Sequence, residues 1–154
     1  MMIKDIELPH EEAVSDLARA LASCLVSPAI LTFSGEIGAG KTTLIRAMLR
    51  ALGVSGAIKS PTFSLVESYL CQHLQVHHFD LYRIHNEEEL EYIGFRDYFG
   101  GQSVCCIEWP ERAELSLGAV DLRFVLTIKG SGRLMRIEAL SGAGEKMLSC
   151  LAGK

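Results

Sequence analysis

The sequence predicts an α/β fold: one domain over residues 1–154, with a mixed β-sheet flanked by helices. Two observations predict it. Short apolar runs alternate along the chain with segments whose apolar residues recur at helical spacing. Two pairs of these runs are joined by turns of only a few residues, near Gln72–His73 and at Lys129–Gly130–Ser131–Gly132. Such short turns join antiparallel strands, so the sheet is not all parallel. A length of 154 residues fits one ordinary domain, and 49% hydrophobic with 22% charged residues is a composition that packs a core.

The elements follow in order. Ile3 to Leu8 alternates apolar and polar residues, as a strand does. Ala13, Val14, Leu17, Leu21 and Leu25 then share a helical face, and Glu11 and Glu12 fall in the first turn, where the helix dipole favours acids. This helix ends near Ser27–Pro28. AILTFS, 29–34, is short, apolar and partly β-branched, a buried strand. TTLIRAMLRALG places Leu44, Ile45, Met48, Leu49 and Leu52 on one face and arginines on the other, with Gly53 as a stop. SPTFSLVESYL and LQVHHFDLYR read as two paired strands. NEEELEYIGF reads as a short helix capped by Asn86, its acids forming a solvated face. SVCCIEW is a buried strand ended by Pro110. VDLRFVLTI and RLMRIEAL form a hairpin, and GAGEKMLSCLAG a closing helix.

Bulk properties narrow the function. A net charge of −4 argues against a protein that grips nucleic acid through its phosphates, which takes a basic surface. The five cysteines are odd in number and none lies in a C-x-x-C pair, so they are expected to be buried free thiols in a reducing compartment. MMIKDIELPHEE lacks a signal pattern, and no apolar run reaches the ~20 residues that span a bilayer. A cytoplasmic protein without membrane contact is expected.

The chemistry concentrates in GEIGAGKTT, residues 35–43, which has the spacing G-x-x-x-x-G-K-[ST] between a strand and a helix. A phosphate is held by backbone N–H groups in a tightly curled loop and by the positive end of a helix. Gly35, Gly38 and Gly40 permit the curl. Lys41 supplies a point charge for the β- and γ-phosphates, and Thr42 a hydroxyl for Mg²⁺. A chance match in a chain this size has odds on the order of 1%. Hydrolysis needs a further acid, usually at the end of an apolar strand. Asp80 and Glu108 both fit, and sequence does not assign which holds metal and which serves water. Thr62, in Lys59–Ser60–Pro61–Thr62, is a candidate γ-phosphate sensor; a turn set by Pro61 explains it equally well. His77 and His78 are adjacent on a strand and so face opposite sides, which favours structural roles over a shared metal. Trp109–Pro110 shapes either a pocket or the core. Arg133 and Arg136 lie on opposite faces, so at most one can face a nucleotide.

With these residues in place, the chain resembles the TsaE (YjeE) family, small P-loop ATPases of bacterial tRNA threonylcarbamoyladenosine synthesis. The resemblance spans nearly the whole chain. Its carriers are GEIGAGKTT, KSPTF at 59–63, HFDLYR at 78–83, GFRDYF at 94–99 and IEWPE at 107–111. The one departure is Val14, where the family commonly has threonine. The resemblance implies a P-loop NTPase-like domain with a mixed sheet and an antiparallel C-terminal portion. It implies weak, Mg²⁺-dependent ATP hydrolysis and partnership with the TsaB–TsaD heterodimer. That pair transfers a threonylcarbamoyl group to adenosine 37 of tRNAs reading codons that start with A. tRNA is then met only through the complex. By the same resemblance Thr42 and Glu108 hold Mg²⁺, and Lys41 and Asp80 serve hydrolysis. Ile37, Gly38, Ala39, Gly40, Lys41, Thr42 and Thr43 wrap the phosphates, Glu11 approaches the base, and Arg133 contacts the nucleotide. The choice of ATP over GTP rests on the resemblance, because no guanine-reading motif stands out. A P-loop kinase and a nucleotide-gated binding module are the alternatives.

Overall fold

The computed structural model describes residues 2–154. Its strands are β1 (Met2–Leu8), β2 (Ala29–Ser34), β3 (Val66–Cys71), β4 (Leu74–Asp80), β5 (Ser103–Glu108), β6 (Leu122–Lys129) and β7 (Gly132–Ala139). Its α-helices are α1 (Glu11–Cys24), α2 (Lys41–Ala51), α3 (Glu88–Tyr92) and α4 (Gly142–Ala152). All the strands join one sheet in the order β1-β7-β6-β2-β5-β4-β3. The middle of the sheet, β6-β2-β5-β4, is parallel. Both margins are antiparallel, β3 on β4 at one side and β7 with β1 at the other. The mixed sheet expected from the two short turns is therefore present.

Burial follows strand alternation. On one face Leu31, Phe33, Val76, Val104 and Phe124 pack against the apolar sides of α1, α2 and α4. The rings of Phe33 and Phe124 stack at 4.6 Å between adjacent parallel strands. On the other face Phe79 meets Phe95 and Tyr98 edge-on, within a smaller cluster that includes Ile107 and Leu90. Each amphipathic helix buries the stripe its spacing predicts, which is the main source of helix stability in a packed domain.

Three expectations need correction. SPTF is not strand: residues 61–64 form a turn closed by Leu65 N–H donating to the Pro61 carbonyl, and β3 begins only at Val66. Proline has no N–H for a ladder, and Leu65 adopts a left-handed φ of 68°, which breaks the extended run. Asn86 does not cap α3 with its side chain. The contact there runs the other way, with the Glu89 carboxylate of the helix accepting from the backbone N–H groups of His85 and Asn86 before it. Finally, the cysteines are not all free. Cys24 at the end of α1 and Cys150 near the end of α4 are bonded, with Cα atoms 5.7 Å apart. Helix packing brings these two ends within disulfide reach, which sequence separation conceals. Cys71, Cys105 and Cys106 are free and buried. Among the described residues no helix is long and apolar enough to cross a membrane.

Candidate functional site

β2 ends in the middle of the sheet and delivers the chain into the glycine-rich loop. Gly35, Gly38 and Gly40 all have positive φ, at 148°, 86° and 102°. At Gly35 a side chain is excluded outright, since a Cβ there would stand 2.5 Å from the Leu126 carbonyl of β6. Gly40 precedes α2, and no side chain caps the helix. The first-turn N–H groups of α2 therefore keep their hydrogens for an outside acceptor. Lys41 Nζ folds back onto the carbonyls of Gly35 (2.5 Å) and Glu36 (3.1 Å) and lies 4.2 Å from the centre of the Trp109 ring. Burial pushes the Lys41 ammonium below its usual range, and the carboxylates of Glu108, Glu111, Asp80 and Glu36 pull it back.

The two candidate acids come together by register. β4 and β5 are parallel neighbours, and Asp80 pairs opposite Glu108 at their C-terminal ends, where α/β sheets gather their ligands. The Thr42 hydroxyl lies 2.9 Å from each carboxylate oxygen of Glu108, to which it donates. Asp80 Oδ1 accepts from the Tyr82 N–H at 3.1 Å. Desolvation pushes the Asp80 carboxyl up, and the nearby Glu108 adds to this. The Tyr82 amide, His78 and Lys41 oppose the rise. The geometry thus separates two acids that the sequence left equivalent: Glu108 touches the threonine of the loop, and Asp80 stands beside it.

Two clefts open around the loop. The first, about 380 Å³, is lined by Lys41, Thr42, Asp80 and Glu108, with Thr62 and Trp109 at its walls. The second, about 470 Å³, lies on the other side and includes Glu11, Val14, Ala39 and Arg133. Gly38, Gly40 and Thr43 line both. The sequence-derived residues therefore divide, with Glu11 and Arg133 in one cleft and the charged set in the other. Ile37 belongs to the first and is 68% exposed at its mouth. Arg133 does more than line a wall. Its guanidinium donates to the Ala39 and Gly38 carbonyls at 3.1 and 2.9 Å, gripping the loop from behind. Arg136 faces away and pairs with Asp5, as the odd spacing requires.

Sequence reasoning undervalued two residues. Trp109 walls the first cleft and covers Lys41, in a left-handed conformation with φ of 59°. That strain beside a site is a functional signal which periodicity does not carry. His78 turns its Nε2 to Glu108 at 2.6 Å, while His77 points to the opposite face and bonds to Ser68 and Ser103. The alternation of a strand predicted that divergence, but not the partner of either ring.

Comparison with known proteins agrees with this architecture. The family model described as "Threonylcarbamoyl adenosine biosynthesis protein TsaE" matches residues 8–135. A Haemophilus influenzae protein named tRNA threonylcarbamoyladenosine biosynthesis protein TsaE is 36% identical over 150 residues, covering 94% of this chain and 95% of its own. A Bacillus subtilis protein of the same name is 34% identical over 121 residues, covering 79% and 75%. The solved structure titled as YdiB of Bacillus subtilis superposes with a TM-score of 0.80 at 26% identity, covering 99% of this chain and 97% of that one. Alike in sequence over most of its length and in fold over nearly all of it, the chain belongs to the TsaE family, proteins of tRNA threonylcarbamoyladenosine biosynthesis.

Proposed function

We propose that the chain is a Mg²⁺-dependent ATPase whose cycle supports multiple turnover by a TsaB–TsaD transferase pair, with tRNA reached only through that complex. The observation that carries this reading is the convergence of Thr42, Glu108 and Asp80 beside an open phosphate loop. The donor set fits the ligand. Free amides and an ammonium suit a triphosphate, and a hydroxyl with a carboxylate suits a hard divalent cation. Thr42 and Glu108 would hold Mg²⁺, which when bound supplies charge neutralisation at the β- and γ-phosphates. Ile37 to Thr43 would wrap the phosphates, and Lys41 would leave its carbonyl partners for them. Asp80, partly desolvated and next to the cation site, would orient the attacking water and accept its proton. The second cleft would take the base and sugar, between Glu11 and the Arg133 side of the loop.

The surroundings of the first cleft support a protein partner. Ile37, Phe63 and Tyr82 are large apolar residues exposed around it, and Arg83 lies 4.5 Å from the centre of the Phe63 ring. Apolar side chains gathered at the edge of one cleft support the reading that a partner docks there. The acidic net charge of −4 fits a component that leaves tRNA binding to its partners.

The test is phosphate release from ATP and Mg²⁺, with and without purified TsaB–TsaD. The expected result is slow release alone and strong stimulation by the pair, with the γ-phosphate passing to water. Transfer to an acceptor would move the assignment to a kinase. Binding of ATP without stimulation would overturn the partnership.

A further inference from the structure

We infer that His78 is a positioning residue for the cation site, holding the Glu108 carboxylate through Nε2 so that it meets Mg²⁺ in one orientation. This rests on Glu108 being a metal ligand, as proposed above. On β4, His78 pairs opposite Cys106, two residues short of Glu108 on β5. Its ring therefore reaches diagonally forward along the sheet and places Nε2 2.6 Å from Glu108 Oε2. An ionised carboxylate only accepts, so the proton of this bond sits on Nε2.

The other ring nitrogen decides between packing and positioning. His78 is fully buried, and among the described residues its Nδ1 has no hydrogen-bond partner. An unmade bond on a buried polar atom is costly. The adjacent His77, which serves the core, bonds through both of its nitrogens. A buried histidine retained with one bare nitrogen is poor packing chemistry, and an aliphatic side chain would fill the space without that cost. What an aliphatic residue cannot supply is the Nε2–H on Glu108.

The other holder of Glu108 is temporary. In this structure the Thr42 hydroxyl donates to both carboxylate oxygens. On loading, that hydroxyl turns its lone pairs to the cation, and the bond to His78 is left to fix the carboxylate. Groups behind a metal ligand typically change metal affinity by about 10–100-fold when they are lost.

The test compares His78→Asn with His78→Gln. The amide nitrogen of glutamine reaches the place of Nε2, and that of asparagine stops near Nδ1. Each protein is loaded with a fluorescent ATP analogue in EDTA, which gives a metal-free affinity and checks the fold, and is then titrated with Mg²⁺. We expect unchanged metal-free affinity in both, a half-saturating Mg²⁺ concentration raised about tenfold or more in His78→Asn, and within about threefold of wild type in His78→Gln. Equal Mg²⁺ requirements in the two variants overturn the role, as does a metal-free affinity that falls in step with the Mg²⁺ response. A wild-type protein indifferent to Mg²⁺ overturns the cation site itself, and the role of His78 with it.

Discussion

Lys41 is held in a place it must leave. Its ammonium sits on two loop carbonyls and against the Trp109 ring, on a buried residue, with four acids acting on it. A triphosphate offers it a stronger, charge-assisted partner. Lys41→Ala should weaken ATP binding by about 1.5–3 kcal/mol, at least tenfold in Kd, by isothermal titration calorimetry. Equal affinity would contradict the phosphate cradle. Asp80 shows the opposite kind of tension. Its folded carboxyl binds a proton more tightly than the unfolded one, so stability falls as pH rises from the ordinary carboxylate range through the raised folded value. At neutral pH the buried charge is a cost. Asp80→Asn should therefore melt at a higher temperature than wild type at pH 7 in EDTA, with the gap closing as the pH falls through that window. The same variant should bind ATP nearly as well and fail to hydrolyse it. A lower melting temperature at pH 7 would remove the case for a carboxylate kept ready for chemistry. Lys41 and Thr42 were legible in the sequence because the cradle is contiguous. Asp80 and Glu108 were legible only as strand ends, because their separate roles depend on which one the Thr42 hydroxyl reaches.

At the scale of elements, local pattern and tertiary contact part company. The bounds of β2 coincide with the apolar run at 29–34, and the hairpin of β6 and β7 turns where the Gly130–Ser131 pair indicates. Periodicity and turn chemistry are local, so sequence carries them. The start of α3 departs from the expected Asn86 cap because the helix begins later, with Glu87 at the N-cap position, and the Glu89 carboxylate folds back to the His85 and Asn86 N–H groups. The link between α1 and α4 was not legible because its cysteines stand at a sequence separation of 126. That link ties the first helix to the last, and cross-links closing long loops typically contribute about 2–4 kcal/mol. Reduction with dithiothreitol should lower the melting temperature of the oxidised protein, and Cys150→Ser should melt low with or without reductant. A thiol count on unfolded, unreduced protein should find the three free cysteines. A count of five would show that the bond does not form.

For the molecule as a whole, the sequence predicted a mixed sheet but not the order of its strands. The short turns place β3 beside β4 and β7 beside β6. No local signal says that β6 lies along β2, or that β1 closes the far edge on β7. That order brings Arg133 behind the glycine loop, at a sequence separation of 94 from Ala39. The antiparallel margin is thus a mechanical support for the cradle. Arg133→Ala should speed hydrogen exchange at Gly38 to Gly40 before any nucleotide is added, which a residue that only contacts nucleotide would not do.

The grip of Arg133 also bears on what the loop presents to the clefts. A strand behind it already occupies two of its carbonyls, so the face left to the clefts is rich in donors and poor in acceptors. The donor-rich face of the loop is in this way supported from more than ninety positions along the chain. A peptide cut from β2 through α2 would carry the whole motif letter for letter, and would lack the arginine that grips it from behind.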